Sequence, residues 1–219
     1  FYLTSEQFAI SNIEKRRLKI SRFSTLNDPF ELMPVNLADP KHRTPIRNFK
    51  QQIDADKGLI CFSKCCENPV LWGHYGDKHK GIALGFEVHK DLANSVIYSN
   101  DLINIPVDPF TNEARPDSKL VNNILRTKFK DWKYENEYRV FFELKDEASE
   151  DGLFFTNFSE QIKLCEVILG PNCSTNFSQI QSSLNGYKSE VKISKSRIAF
   201  KSFRVVRDLS IDIVTHKSD

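Results

Sequence analysis

The chain has little of what several large protein classes require. It holds one Met, two Trp and eight Gly in 219 residues. Those glycines form neither a phosphate-cradling loop nor the fingerprint of a dinucleotide-binding βαβ unit. A GxSxG elbow and an HExxH pair are missing too, which disfavours nucleotide kinases, classical dehydrogenases, serine hydrolases of that type and zincins. No apolar run approaches the roughly 18 residues that a membrane-crossing helix needs, so no membrane partner is expected. No charged-then-apolar leader is visible ahead of Phe1, and because Phe1 is not a natural start, a short upstream piece is expected. Cys61, Cys65, Cys66, Cys165 and Cys173 are odd in number and too sparse for a secreted disulfide scaffold. A reducing, cytoplasmic setting is expected. Excess charge is also lacking: 31 Lys and Arg against 29 Asp and Glu leave +2, too little for bulk nucleic-acid binding.

What is present is an ordinary soluble balance, 40% apolar and 27% charged, with seventeen Phe. That composition supports a folded core rather than disorder. Thr4 and Gln7 have capping-box spacing ahead of Phe8, Ala9 and Ile13, which predicts a helix to about Arg17 and then a strand over Leu18–Ile20. Thr44 as cap, Pro45 in the first turn and Ile46, Phe49 and Ile53 at helical spacing predict a second helix stopped by Gly58. A buried strand follows over Leu59–Ser63. Asn68-Pro69 opens a short helix, and Ile82, Leu84 and Phe86 alternate as in a strand. A strand is expected over Ser95–Tyr98. Pro106 to Pro116 carries three prolines and reads as a surface loop beside a site. A helix over Leu120–Phe129 and strands over Tyr138–Leu144, Leu153–Thr156 and Cys165–Leu169 come next. Ser174 or Thr175 caps a last helix, followed by strands near 190–193 and 197–206. Phe8, Phe49, Phe62, Phe86, Phe142, Phe177, Phe200 and Phe203 are expected in the core. Helices and strands mix without βαβ alternation, which predicts one α+β domain over residues 1–219 with largely antiparallel sheet.

The densest chemistry is the run from Trp132 to Arg139. A strand beginning near Glu135 would put Glu135 and Glu137 on one face, framed by Trp132 and Tyr138. Such a pair can stabilise a developing positive charge while one member handles a proton, as cleavage of a glycosidic bond requires. The plainer reading is a solvated strand edge in which Arg139 neutralises a glutamate. Cys61, Cys65, His74 and His79 invite zinc, but their spacing argues against it, and no metal site is assigned. Asn27-Asp28-Pro29 reads first as a turn. The basic segment from Lys188 onward alternates with apolar residues, so its charges read as the solvent face of strands rather than a nucleic-acid stripe.

Taken in order, Phe1-Tyr2-Leu3-Thr4, Ser24 to Glu31, Cys61-Phe62-Ser63, Leu71 to Tyr75 with His79-Lys80-Gly81-Ile82 and Gly85-Phe86-Glu87, Trp132 to Arg139, and Glu166 to Gly170 resemble the bacterial domain-of-unknown-function family numbered 2971. The resemblance runs over nearly the whole chain and implies no function by itself. More distantly the arrangement is similar to the ADP-ribosyltransferase superfamily, above all its DNA- and RNA-modifying toxin branches. That likeness implies an ADP-ribosyltransferase-like split sheet with flanking helices and NAD as substrate. It implies that Tyr2 or Thr4 on the first strand contacts the nicotinamide ribose and that Ser63 is the polar residue of a middle strand in the cofactor site. Glu137 would hold the 2′-hydroxyl and stabilise the oxocarbenium ion, and Glu135 would orient or deprotonate the acceptor. Trp72, His74, Tyr75 and Tyr138 would line the dinucleotide site. The sequence departs from the toxin pattern in having Tyr2 where a His or Arg is expected.

The resemblance therefore implies an ADP-ribosyltransferase or NAD glycohydrolase, in the role of a toxin or phage-defence effector acting on a macromolecular acceptor that the sequence does not identify. Two other classes stay open. One is a non-catalytic module that recognises a nucleotide or other ligand. The other is a metal-dependent nuclease or phosphoesterase using Glu135 and Glu137 with Asp28, Glu31 or His79.

Overall fold

A computed structural model of the chain describes residues 1–105 and 117–217. The loop expected over Pro106–Pro116 lies outside the described residues. The first strand, β1 (Tyr2–Thr4), gives way at Ser5, whose side chain accepts from the Phe8 amide and starts helix α1 (Glu6–Glu14). Thr4, the cap expected from its spacing to Gln7, stays in the strand. After β2 (Arg17–Ile20) and an irregular stretch, the 14-residue helix α2 (Arg43–Asp56) runs directly into β3 (Lys57–Ser63). Gly58 does not stop that helix but belongs to β3, where a Cβ would collide with the Ile20 side chain.

Asn68 caps the short helix α3 (Pro69–His74), with Pro69 where the helix needs no amide. Then come β4 (Ile82–Val88), β5 (Asn94–Ser95), β6 (Ile97–Ser99) and α4 (Ser118–Arg126), the last capped by Asp117. The helix expected to continue to Phe129 ends at Arg126 and is replaced by β7 (Thr127–Phe129), a 3₁₀ turn (Lys130–Glu135) and β8 (Glu137–Glu143). β9 (Ala148–Glu150), β10 (Leu153–Asn157) and β11 (Ile162–Leu169) precede α5 (Phe177–Ser183). Asn176 and Gln179 cap one another's backbone amides at the start of α5, just after Ser174 and Thr175. The chain closes with β12 (Val191–Ile198), β13 (Val205–Arg207) and β14 (Val214–His216).

The largest sheet has the order β1-β4-β11-β12-β13, with β14 also on β12; smaller sheets are β2-β10-β9, β3-β8-β5 and the pair β6-β7. Among the described residues only β11–β12 and β6–β7 run parallel. The architecture is thus mixed α and β, several antiparallel sheets with a few helices. β3 organises the interior because both of its faces are covered. Ile60 and Phe62 join the core under the large sheet with Ile13, Leu84 and Val167, while Leu59 and Cys61 face a second core with Phe23, Ile124 and Leu125. At about 1.5–3 kcal/mol for each fully buried large aliphatic side chain, those two clusters fix β3 and hence the strand paired with it, β8.

Three of the phenylalanines expected in the core are on the surface: Phe8, Phe200 and Phe203 are 63%, 88% and 96% exposed. Phe8 lies on the outer side of α1, whose buried residues are Ala9, Asn12 and Ile13. Phe200 and Phe203 fall in the turn beyond the last pair of the β12–β13 hairpin, Ile198 with Val205, where no second layer covers them. Among the described residues no helix is long and apolar enough to cross a membrane.

Candidate active site

The site grows from the pairing of β3 with β8. Their register sets Ser63 opposite Glu137 and Cys61 opposite Arg139, and alternation sends these four side chains to one face while Phe62, Tyr138 and Val140 take the other. Glu135 is not part of this strand. It ends the 3₁₀ turn, and Asn136 follows with φ 46° and ψ 53°, a left-handed conformation that asparagine adopts more readily than most residues. That reversal, and not strand alternation, brings Glu135 beside Glu137.

Two cations bind the carboxylates together. Lys128, from β7, places Nζ 2.6 Å from Glu135 Oε2 and 3.4 Å from Glu137 Oε2, with the Trp132 ring 4.6 Å away. Arg139 is wholly buried and donates from Nε to Glu137 Oε1 at 2.8 Å, and from its two terminal nitrogens to Glu31 at 2.9 and 2.5 Å and to the Leu125 carbonyl at 2.8 Å. Glu31 is delivered by the Asn27-Asp28-Pro29 turn, in which buried Asp28 accepts from the Phe30 amide at 2.9 Å. Tyr75 donates its hydroxyl hydrogen to Glu135 Oε1 and accepts from Asn27 Nδ2 at 2.7 Å. Burying any of these ions alone would cost several kcal/mol, so the close pairing is what makes the cluster tolerable.

The environment drives the two glutamates apart. Burial alone would raise Glu137, yet Arg139 and Lys128 outweigh it and hold its carboxyl down at about 2. For Glu135 burial wins over Lys128 and the carboxyl sits above its ordinary value; Glu31 is raised by burial in the same way despite Arg139. Burial also pushes up the Tyr75 hydroxyl and the Cys61 thiol, with Glu135 and Glu137 adding to it respectively. Desolvation would lower Lys128, but Glu137 and Glu135 reverse this and keep it charged. Three carboxylates therefore share two cations, and the cluster carries one negative charge in excess when all are ionised.

The cluster forms one wall of a cavity of about 260 Å³ whose lining includes Tyr2, Leu3, Asn27, Phe62, Ser63, Tyr75, Lys128, Glu135 and Glu137. Of the residues singled out in the sequence, Tyr2, Ser63, Tyr75, Glu135 and Glu137 meet here. Ser63 Oγ is engaged by backbone, 2.5 Å from the Glu135 carbonyl and 2.7 Å from that of Cys65. The others lie elsewhere. Thr4 is paired with Ile82 in the large sheet. Trp72 is fully buried against Ala83, Ile168 and Val205 and donates to the Cys66 carbonyl at 2.6 Å. His74 is exposed and sits 2.9 Å from the Tyr134 hydroxyl. Tyr138 lines a separate cavity on the far face of β8, with Phe62, Phe86 and Val88.

Sequence reasoning missed Lys128, and it saw Glu31 and Arg139 only in lesser roles. The position of Arg139 two residues after Glu137 was a usable signal, since strand alternation puts both on one face. Lys128 gave none, and Glu31 entered only as a candidate metal ligand, because each reaches the cluster through a chain reversal or a distant turn. Among the described residues no group of three or more His, Cys, Asp or Glu side chains is placed to hold a metal ion; the ammonium and guanidinium groups fill the space between the glutamates.

A search of the curated proteins found no match and a search of the solved structures found none. Residues 71–140, from α3 to the middle of β8, match the model of a family described as "Protein of unknown function (DUF2971)". That segment contains Tyr75, Lys128, Glu135, Glu137 and Arg139, and over it the chain is similar to that family.

Proposed function

We propose that the cavity takes the nicotinamide-ribose end of NAD and that Glu137 and Glu135 cleave its glycosidic bond, passing ADP-ribose to an acceptor or to water. The observation that carries this reading is the pairing of an ionised carboxylate, Glu137, with a second carboxylate of raised pKa, Glu135, on one small cavity edged by Tyr2, Phe62 and Tyr75. The excess negative charge suits a cationic, planar nicotinamide ring, and about 260 Å³ suits one ring with its sugar rather than a whole dinucleotide. As the bond between ribose C1′ and the ring nitrogen breaks, its electron pair leaves with nicotinamide, which becomes neutral. Positive charge moves to the sugar, where Glu137 stabilises it. The incoming water or acceptor hydroxyl bonds to C1′ and loses its proton to Glu135, a carboxylate whose raised affinity for protons suits that task. A split-sheet fold of the ADP-ribosyltransferase kind and an effector role belong to the same proposal.

One observation favours a second reading, ligand recognition without turnover: both carboxylates are already engaged, Glu137 by Arg139 and Lys128, Glu135 by Lys128 and Tyr75. Calorimetric titration with NAD and chromatographic detection of released nicotinamide separate the two. The catalytic reading expects release that falls at least about 100-fold in Glu137→Gln. Binding without release would assign recognition, and neither binding nor release would remove NAD from consideration.

A further inference from the structure

The β12–β13 hairpin and the turn after α3 form a second feature, apart from the carboxylate cavity. Phe200 is 88% and Phe203 96% exposed, with Ile198 at 60%. Aromatic side chains this bare at a hairpin tip are rare on a surface with no partner. Between Val191 and Arg207 lie Lys192, Lys195, Arg197, Lys201, Arg204 and Arg207 and no Asp or Glu, in a chain whose whole excess is +2; Arg197 and Arg204 pair with Asp208 and Glu67, while Lys201 and Arg207 make no ion pair among the described residues. Arg197 stacks over the Phe200 ring at 4.3 Å, and Lys201 and Arg207 are exposed.

Beside the hairpin is a concavity of about 650 Å³ lined by residues 198–205 with Pro69 and His79. His79 lines this concavity, and its Nδ1 is buried without a hydrogen-bond partner among the described residues. Its backbone is held in place. Asp77, Lys78 and His79 all have left-handed φ, 46°, 53° and 71°, a run that costs roughly 1–2 kcal/mol per residue and is kept by four bonds. They are His79 N to Trp72 O at 3.2 Å, Gly81 N to Gly76 O at 2.8 Å, Asn172 N to His79 O at 3.0 Å and Gly170 N to Gly81 O at 2.9 Å. A rigid floor loses little freedom when a ligand settles on it.

We propose that this cleft docks an acidic segment of a partner protein that carries apolar side chains between its acids. Phe200, Phe203 and Arg197 are the residue types that dominate protein–protein hot spots. The basic rim meets the partner's carboxylates, and the concavity receives an apolar side chain. A fluid bilayer would leave the hollow unfilled, and a nucleic acid carries no aliphatic side chain to fill it.

The test is a display library of random twelve-residue peptides, selected on the whole chain and counter-selected on the double variant Phe200→Ser with Phe203→Ser. Enriched peptides are then measured by fluorescence anisotropy. The proposal expects Asp or Glu interspersed with large apolar residues. It expects at least about tenfold weaker binding to the double variant, and weakening in Lys201→Glu and at high salt. Because Lys201 is exposed, its variant reads the charge requirement even if the double variant is poorly folded. Failure to enrich hairpin-dependent peptides overturns the proposal, as does enrichment of peptides without acids. Hairpin-dependent binding to phosphatidylserine vesicles or to a single-stranded oligonucleotide in place of peptides overturns it too.

Discussion

Arg139 is a charged residue with no contact with solvent, and it serves two glutamates, Glu137 two residues before it and Glu31 from the N-terminal part of the chain. Removing one partner from such a buried group typically costs about 3–5 kcal/mol, since the charges left behind cannot find water. The pH behaviour of the fold follows from the same contacts. Glu137 ionises near 4.5 when unfolded but near 2 in the fold, so its stabilising share is full above about pH 4.5 and is lost as pH falls toward 2. Glu31 and Glu135 are shifted the other way; each binds a proton more readily folded than unfolded, so each weighs against the fold near neutrality and is relieved on mild acidification. Thermal melts from pH 7 to pH 2 are expected to show a loss of stability confined to the acid end. In Glu137→Gln that acid limb flattens, and an unchanged limb would place the titration elsewhere. At this scale the sequence exposed Glu135, Glu137 and Tyr75 through their crowding and aromatic neighbours. It named Glu31 only as a candidate metal ligand and could not expose its pairing with Arg139, 108 residues away, which leaves no local trace.

At the scale of elements, Asn136 decides whether the cluster assembles. With φ 46° it turns the chain between the 3₁₀ segment and β8, and its carbonyl accepts from the Lys64 amide at 2.9 Å. Asn136→Gly, which tolerates that conformation, is expected to keep stability nearly intact, while Asn136→Val, branched at Cβ, loses about 1–2 kcal/mol. Denaturant melts of the two variants check this, and equal losses would show that the turn can be remade. Most elements were legible because their signals are local. Asn68-Pro69 marks α3, and alternation marks β4 and β8. β9 and β14, three residues each, are too short to show a period. Alternation also says nothing about whether the inward face has a neighbour, which is why Phe200 and Phe203 read as core and emerge at a hairpin tip.

At the scale of the molecule, the cluster draws on the turn after the 3₁₀ residues 23–25, on β3, on the end of α3, on β7 and on β8. The mixed fold with antiparallel sheet was readable from the order of elements, because the strands do not alternate regularly with helices. The assembly of distant charges was not readable, since it depends on β8 lying between β3 and β5. That pairing has a further consequence for how the chain can be divided. The segment 71–140 that matches the family model holds residues 137–140 of β8 yet leaves out β3, whose residues 60–63 pair with them. Cut free, the segment would offer water an unpaired strand edge and strand Arg139 without Glu31, so no cooperative melting is expected of it by circular dichroism. The stretch that resembles the family is therefore expected to depend on β3, outside it, for its fold.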